Sequence, residues 1–125
     1  MAELKPDNLW QNWSALEQRL CSPDTAEQDY CRLVSDYTCV SCRLSTRLQQ
    51  QQNLLLQEWC LRYCLFTLAR CASSGKPDTQ LRQLCLDQLY IPLLALQRLY
   101  LRQPNGRQQL NKLRLQLQQS FHSLR

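Results

Sequence analysis

Four of the eight cysteines in this sequence form two close pairs that could bind zinc. Cys39 and Cys42 are separated by two residues, Cys60 and Cys64 by three, and the pairs lie seventeen residues apart. Two thiolate pairs are a common ligand set of structural zinc sites, and on two antiparallel helices these pairs could meet at one point. Reduced cysteine also packs as a small apolar side chain, and both pairs lie in leucine-rich sequence. The sequence leaves both interpretations open, and core packing is the simpler one.

Residues that usually perform catalysis are scarce. His122 is the single histidine, and the isolated glycines cannot form a phosphate-binding loop. Glu58 is the one acid in the most apolar stretch, where Arg62 one helical turn later is positioned to form an ordinary ion pair with it. We therefore predict no enzyme activity and no cofactor.

Positive charge is concentrated in the last third of the sequence. Through Asp87 there are nine Lys or Arg and ten Asp or Glu, whereas from Gln88 onward there are six basic residues and no acidic one. Lys and Arg bind phosphates, and the surrounding glutamines could hydrogen-bond base edges. The acid-free region 98–125 therefore suggests nucleic-acid binding as an alternative function. Its candidate contacts are Arg98, Arg102, Arg107, Lys112 and Arg114.

Protein binding is the function that we expect. Leu89–Leu101 contains more apolar residues than one buried helix face needs, and aromatic side chains are typical anchors of interfaces. The candidate partner-binding residues are Tyr90, Leu94, Tyr100 and Leu101. The expected partner is another protein or a second copy of this chain.

All the elements that position these residues are predicted to be helices. Leu and Gln dominate, whereas glycine and β-branched residues are few. Apolar periodicity and helix-breaking residues predict about five helices: a short first one ending near Cys21–Pro23, a second opening at Ser22-Pro23 and running to about Gln50, a third over 54–72, a fourth over about Thr79–Leu101, and a last over Arg107–Ser123. Asn53 should cap the third helix, and Pro92 should kink the fourth.

The third predicted helix, Leu54–Ala72, is the most apolar stretch of the chain. At about 100° per residue its apolar side chains fall on three sides. The first side carries Leu55, Trp59, Tyr63 and Phe66; the second Leu54, Leu61, Leu65 and Leu68; the third Cys60, Cys64 and Cys71. A helix that is apolar nearly all round is buried on several sides, and Arg62 at its middle argues against a membrane span. We therefore predict a central helix whose Cys60 and Cys64 face a neighbouring helix.

The length of the chain fits one domain over residues 1–125, with antiparallel neighbouring helices around one core. The N-terminal residues show no basic segment followed by an apolar run, so we expect a cytoplasmic protein with reduced cysteines. The sequence thus predicts a single-domain all-α bundle that acts as a non-enzymatic protein–protein interaction module. Adaptors, regulators and assembly or secretion chaperones are proteins of this kind.

Overall fold

The protein is an all-α bundle of helices that follow one another along the chain. A computed structural model describes residues 8–21, 30–73 and 79–122. These residues form α1 (Leu9–Leu20), α2 (Tyr30–Gln50), α3 (Leu54–Ser73), α4 (Thr79–Leu101) and α5 (Gly106–His122). Because the described residues contain helices and no strand, the predicted fold class is confirmed. The predicted start of the second helix at Ser22-Pro23 lies outside the described residues.

The turn between α2 and α3 contains the helix break that the sequence predicts at Asn53. Gln52 has a φ of 58°, and its N–H donates to the Gln49 carbonyl at 3.0 Å. The Asn53 N–H donates to the Leu48 carbonyl at 2.9 Å, so α2 ends in a Schellman motif. The side-chain oxygen of Asn53 then accepts a hydrogen bond from the Leu56 N–H at 3.3 Å and caps α3.

Helix α3 lies at the centre of the bundle and packs against α2, α4 and α5. Cys60 and Cys64 belong to one part of the core, which α3 forms with α1, α2 and the beginning of α4. Leu61 and Leu65 belong to a second part, formed with the end of α4 and with α5. Both cysteines are fully buried, as predicted. The predicted central position of α3 is therefore confirmed.

One side of α3 is not covered by the described helices. Leu55 in its first turn is 77% exposed and Trp59 is 48% exposed, whereas Tyr63 and Phe66 are half-buried. This side is apolar in the sequence, as are the two buried sides. A further neighbouring helix would be needed to bury all three. Of the three apolar sides of α3, two form the core and one faces outward.

The connection between α4 and α5 brings these helices very close together. The Gly106 N–H donates to the Gln103 carbonyl at 3.1 Å, and a Cβ added to Gly106 would overlap the Tyr100 carbonyl. Pro92 lies inside α4, where the sequence predicts a bend, and the helix continues to Leu101 beyond it. Among the described helices, none has the length and continuous apolarity that crossing a bilayer requires.

Candidate protein-binding surfaces

Five aromatic rings from α1, α2 and α3 pack together around Trp13. The Trp13 ring lies edge-on to Trp10 at 5.8 Å, to Trp59 at 5.5 Å and to Tyr63 at 5.2 Å, measured between centroids. On its other side it stacks parallel to Tyr37 at 6.3 Å. Edge-to-face and stacked pairs stabilise an aromatic cluster beyond the area they bury. The cluster therefore holds its outer rings in defined positions.

A buried hydrogen bond fixes the central ring of this cluster. Trp13 Nε1 donates to Ser41 Oγ at 2.9 Å, and Ser41 Oγ donates to the Tyr37 carbonyl at 2.7 Å. Trp13 and Ser41 are both buried, so the indole N–H has exchanged water for a protein partner. Because this bond joins α1 to α2, it also fixes the position of the Trp13 ring that Trp59 packs against.

The outer rings of the cluster form an exposed apolar surface. Trp10 is 41% exposed, and its centroid lies 6.4 Å from that of Trp59. Leu55 precedes Trp59 by one helical turn and continues the same surface. Single exposed apolar residues are ordinary, but a continuous patch on a structured base is typical of an interaction site.

This surface leads into a groove between α3 and α5, which we call the aromatic groove. It is an open cavity of about 440 Å³ lined by Trp59, Arg62, Tyr63, Phe66, Thr67, Arg70 and Ser120. Trp59, Tyr63 and Phe66 form its floor, and their spacing of four and three residues places them along one side of α3. The floor and Leu55 together span about three helical turns.

Arg62 is held at one wall of the aromatic groove by contacts with α4 and α5. Its guanidinium donates to Gln116 Oε1 at 2.6 Å and to Tyr100 Oη at 3.3 Å, and it lies 5.6 Å from the Phe66 centroid. Among the described residues, Arg62 therefore contacts Gln116 and Tyr100 and forms no direct ion pair with Glu58, in contrast to the expectation from the sequence.

Glu17 reaches the aromatic groove from α1. Tyr63 Oη donates to Glu17 Oε1 at 2.7 Å, and this hydrogen bond raises the pKa of Tyr63. Arg70 Nη2 lies 3.8 Å from the same carboxylate oxygen, an exposed and long ion pair that contributes little. The groove thus has two guanidinium groups and one carboxylate at its walls, which leaves it with a net positive charge.

A second groove lies between α2 and α4, and we call it the α2/α4 groove. It is an open cavity of about 410 Å³. On α4 its lining includes Tyr90, Leu94 and Arg98, with Arg102 just after the helix, and Gln57 of α3 lies at its base. The sequence suggests Tyr90 and Leu94 as contacts with a partner protein, and the two arginines as contacts with nucleic acid. The structure brings both sets together in one groove.

Two of the predicted partner-binding residues lie elsewhere. Tyr100 is only 1% exposed, so its prediction as a surface contact is wrong; it packs in the core between α3 and α5. Burial, with the hydrogen bond to Glu58, raises the pKa of Tyr100 to about 12. Leu101 is exposed, but it is not part of the lining of the α2/α4 groove.

The five predicted nucleic-acid contacts are exposed but do not form one surface. Arg98 and Arg102 line the α2/α4 groove. On α5, Arg107 and Arg114 share one side, whereas Lys112 projects about 140° away from Arg107 around the helix. A duplex or single strand that contacted all five would have to wrap around two helices.

The structure does not bring the four predicted zinc ligands together. Cys39 is exposed on α2, whereas Cys60 and Cys64 are fully buried, and burial raises the pKa of each buried thiol to about 12. A side-chain hydrogen bond with Ser41 of α2 partly offsets this rise in the pKa of Cys64. Within residues 8–21, 30–73 and 79–122, no three His, Cys, Asp or Glu side chains are grouped as metal ligands would be. The four-thiolate zinc site, which the sequence left open as the alternative to core packing, is therefore contradicted for these cysteines.

Sequence reasoning missed the two residues that best mark these grooves. Both residues lie in the apolar third helix, Trp59 with a half-exposed ring and Gln57 with a buried amide oxygen that has no hydrogen-bond partner. The spacing of apolar residues in the sequence indicates neither property. Comparison with known proteins found no matching protein family, no matching curated protein and no matching solved structure. The two grooves are therefore the features of the protein that bear on its function.

Proposed function

We propose that this protein is a non-enzymatic interaction module that binds an amphipathic helix of a partner protein in the aromatic groove. The observation that carries this proposal is the exposed surface of Trp10, Leu55 and Trp59, which rests on buried Trp13. Tryptophan is enriched among the residues that dominate binding energy, especially where its position is fixed before binding.

The shape of the aromatic groove suits a helix. Its floor of Trp59, Tyr63 and Phe66 runs along one side of α3, and Leu55 extends that side by one turn. Helices in grooves are recognised through apolar residues at spacings of three, four and seven. A docked partner helix would cover the one apolar side of α3 that the described helices leave exposed.

The charge of the aromatic groove indicates an acidic partner. The Arg70 side chain is 64% exposed, and its contacts with Glu17 at 3.8 Å and with Thr67 Oγ1 at 3.4 Å both involve the same nitrogen, Nη2. Arg62 is fixed by its contacts with Gln116 and Tyr100, so its charge is already positioned at the wall. Glu or Asp residues on the polar side of a docked helix would complement these two cations.

Adaptors, regulators and assembly chaperones use surfaces of this kind, and we place the protein in that broad class, in the cytoplasm. The acid-free region 98–125 keeps nucleic-acid binding as the alternative. Its exposed basic residues lie on several sides of α4 and α5, so it lacks the single basic surface that a dedicated binder presents.

The test is to recover proteins that co-purify with the wild-type protein, and then to titrate each purified candidate partner against groove variants. Trp59→Ala should weaken binding by about 30-fold or more, as expected for an interface tryptophan. Leu55→Asp should also weaken binding while leaving thermal stability unchanged, because Leu55 is mostly exposed. The matched control is Leu115→Asp, since Leu115 is a similarly exposed leucine on α5 outside the groove.

A partner whose affinity is unchanged by both groove substitutions would contradict the proposal. The alternative makes a different prediction: RNA or DNA binding that falls steeply with rising salt and is weakened by Arg107→Ala or Arg114→Ala. The proposed helix should instead bind with an affinity that depends mainly on Trp59 and only moderately on salt.

A further inference from the structure

Gln57 carries a buried hydrogen-bond acceptor that the fold does not use. The side chain is 6% exposed, and its Oε1 has no hydrogen-bond partner. Leaving a buried amide oxygen unsatisfied costs free energy, and native structures contain few such groups. Gln57 is part of the lining of the α2/α4 groove, so a rotation of its amide would present the oxygen to a donor that enters this groove.

The rest of the α2/α4 groove offers two further kinds of contact. Tyr90 is 56% exposed and Leu94 is 44% exposed, and both lie on the groove side of α4. Arg98 and Arg102 follow at the same four-residue spacing, and both are exposed. No acidic residue occurs in the lining, so these two cations are not neutralised within the groove.

We infer that the α2/α4 groove is a second peptide-binding site, which takes an acidic amphipathic segment of a partner protein. Apolar side chains of the segment pack on Tyr90 and Leu94, and its carboxylates pair with Arg98 and Arg102. A donor such as a hydroxyl, amide or backbone N–H meets Gln57 Oε1. Arginine presents several N–H groups in a fixed fork, which favours paired contacts with carboxylates.

This site is separate from the aromatic groove and does not depend on it. Gln57 and Leu61 line the α2/α4 groove, whereas Trp59 and Tyr63 line the aromatic groove. Two residues along a helix correspond to a rotation of about 200°, so the two grooves contact nearly opposite sides of α3. Both can be occupied at once, and a protein with two such sites can bring two partners together.

The probe for this site is a phage-displayed library of random peptides of about 15 residues, roughly four helical turns. Peptides selected on the full-length wild-type protein are synthesised with a fluorophore and titrated by anisotropy. We expect a class of peptides that combine Asp or Glu pairs with apolar residues. Arg98→Ala combined with Arg102→Ala should weaken these peptides by about tenfold, since two ion pairs are lost.

Gln57→Met supplies a test that separates binding from folding. Methionine has a similar length but no acceptor, so the thermal midpoint should equal or exceed that of the wild type. The affinity for the acidic peptides should nevertheless fall by about fivefold, because their donor loses its partner. Leu55→Asp is the matched control: it alters the aromatic groove and should leave this peptide class unaffected.

Several results would overturn the inference. Selection could yield no acidic class, or only peptides lost with Leu55→Asp, which would leave the proposed function standing and remove this second site. Acidic peptides could bind equally well to the double arginine variant. A single-stranded RNA that displaces the peptides with a dependence on Arg98 and Arg102 would assign the groove to nucleic acid instead. A lower thermal midpoint for Gln57→Met with unchanged peptide affinity would make Gln57 a structural residue.

Discussion

The hydrogen bond between Trp13 and Ser41 offers a direct test of how the aromatic cluster is held in place. The substitution Ser41→Ala removes the acceptor of the indole N–H, because Trp13 Nε1 donates to Ser41 Oγ at 2.9 Å in a buried position. The hydroxyl also donates to the Tyr37 carbonyl one turn earlier in α2 and interacts with the Cys64 thiol. The buried N–H of Trp13 would then have no partner.

The expected loss in the free energy of unfolding of Ser41→Ala is the sum of two opposing effects. An orphaned buried donor costs about 1–3 kcal/mol. Alanine is a better helix former than serine by roughly 0.5 kcal/mol, so the net loss should be about 1–2 kcal/mol. Ser35→Ala is the matched control, because Ser35 is exposed on the same helix and reports the propensity gain alone. For a chain of this length the net loss corresponds to a thermal midpoint about 4–8 °C lower.

The assay is urea denaturation followed by circular dichroism, with wild type, Ser41→Ala, Trp13→Phe and the double variant. Since Trp13→Phe removes the donor, Ser41→Ala should cost little in that background, and the cycle should give a coupling energy of about 1 kcal/mol or more. The emission of the half-exposed Trp59 should also change in Ser41→Ala, because its ring rests on Trp13. A Ser41→Ala variant as stable as Ser35→Ala would refute the reasoning.

Three further substitutions test other parts of the fold. Gly106→Ala should destabilise the protein by about 2–3 kcal/mol in urea denaturation, because the new Cβ overlaps the Tyr100 carbonyl and α5 must shift; an unchanged midpoint would contradict this close approach. Gln52→Gly should stabilise by roughly 1 kcal/mol, because Gln52 adopts a left-handed φ of 58° that glycine reaches without strain, and a loss of stability would argue against that conformation. Burial raises the pKa of the Cys64 thiol from 9.0 to about 12, so the unfolded state ionises first and stability falls as the pH rises from 9 towards 12. Cys64→Ala should reduce this decline by up to about 1.4 kcal/mol per pH unit, whereas the non-titrating buried control Val40→Ala should lower stability without changing the slope.

The helices and their order could be predicted from the sequence because local signals agree. Periodic leucines, Pro92 inside α4, and Asn53 before α3 each act within one turn of the chain. The conformation of Gln52 could not be predicted, since glycine is the usual residue at that position of a Schellman motif. The φ of Gln52 and the hydrogen bonds at the end of α2 show the left-handed conformation.

The candidate sites were only partly predictable, because exposure depends on how the helices pack. Tyr90 and Tyr100 have similar surroundings in the sequence, but one is 56% exposed and the other is buried beneath α3 and α5. The apolar periodicity of α4 continues across Pro92. This pattern does not reveal which apolar side of α4 packs against a neighbouring helix. The grouping of Arg98 with Tyr90 likewise depends on the position of α2, which forms the other wall of the groove.

The outward side of α3 is the strongest support for the proposed binding of a partner helix. A helix in the middle of a small bundle needs apolar residues on the sides that face its neighbours, and Cys64 and Leu65 meet that need on two sides. Nothing in the packing of the described helices requires Leu55 to be apolar, since its side chain is 77% exposed, and about half of the surface of Trp59 is exposed beside it. Exposed apolar surface promotes association, so an isolated protein gains from polar residues there. If Leu55→Asp leaves stability unchanged and removes partner binding, the third apolar side of α3 serves to bind a partner rather than to stabilise the described helices.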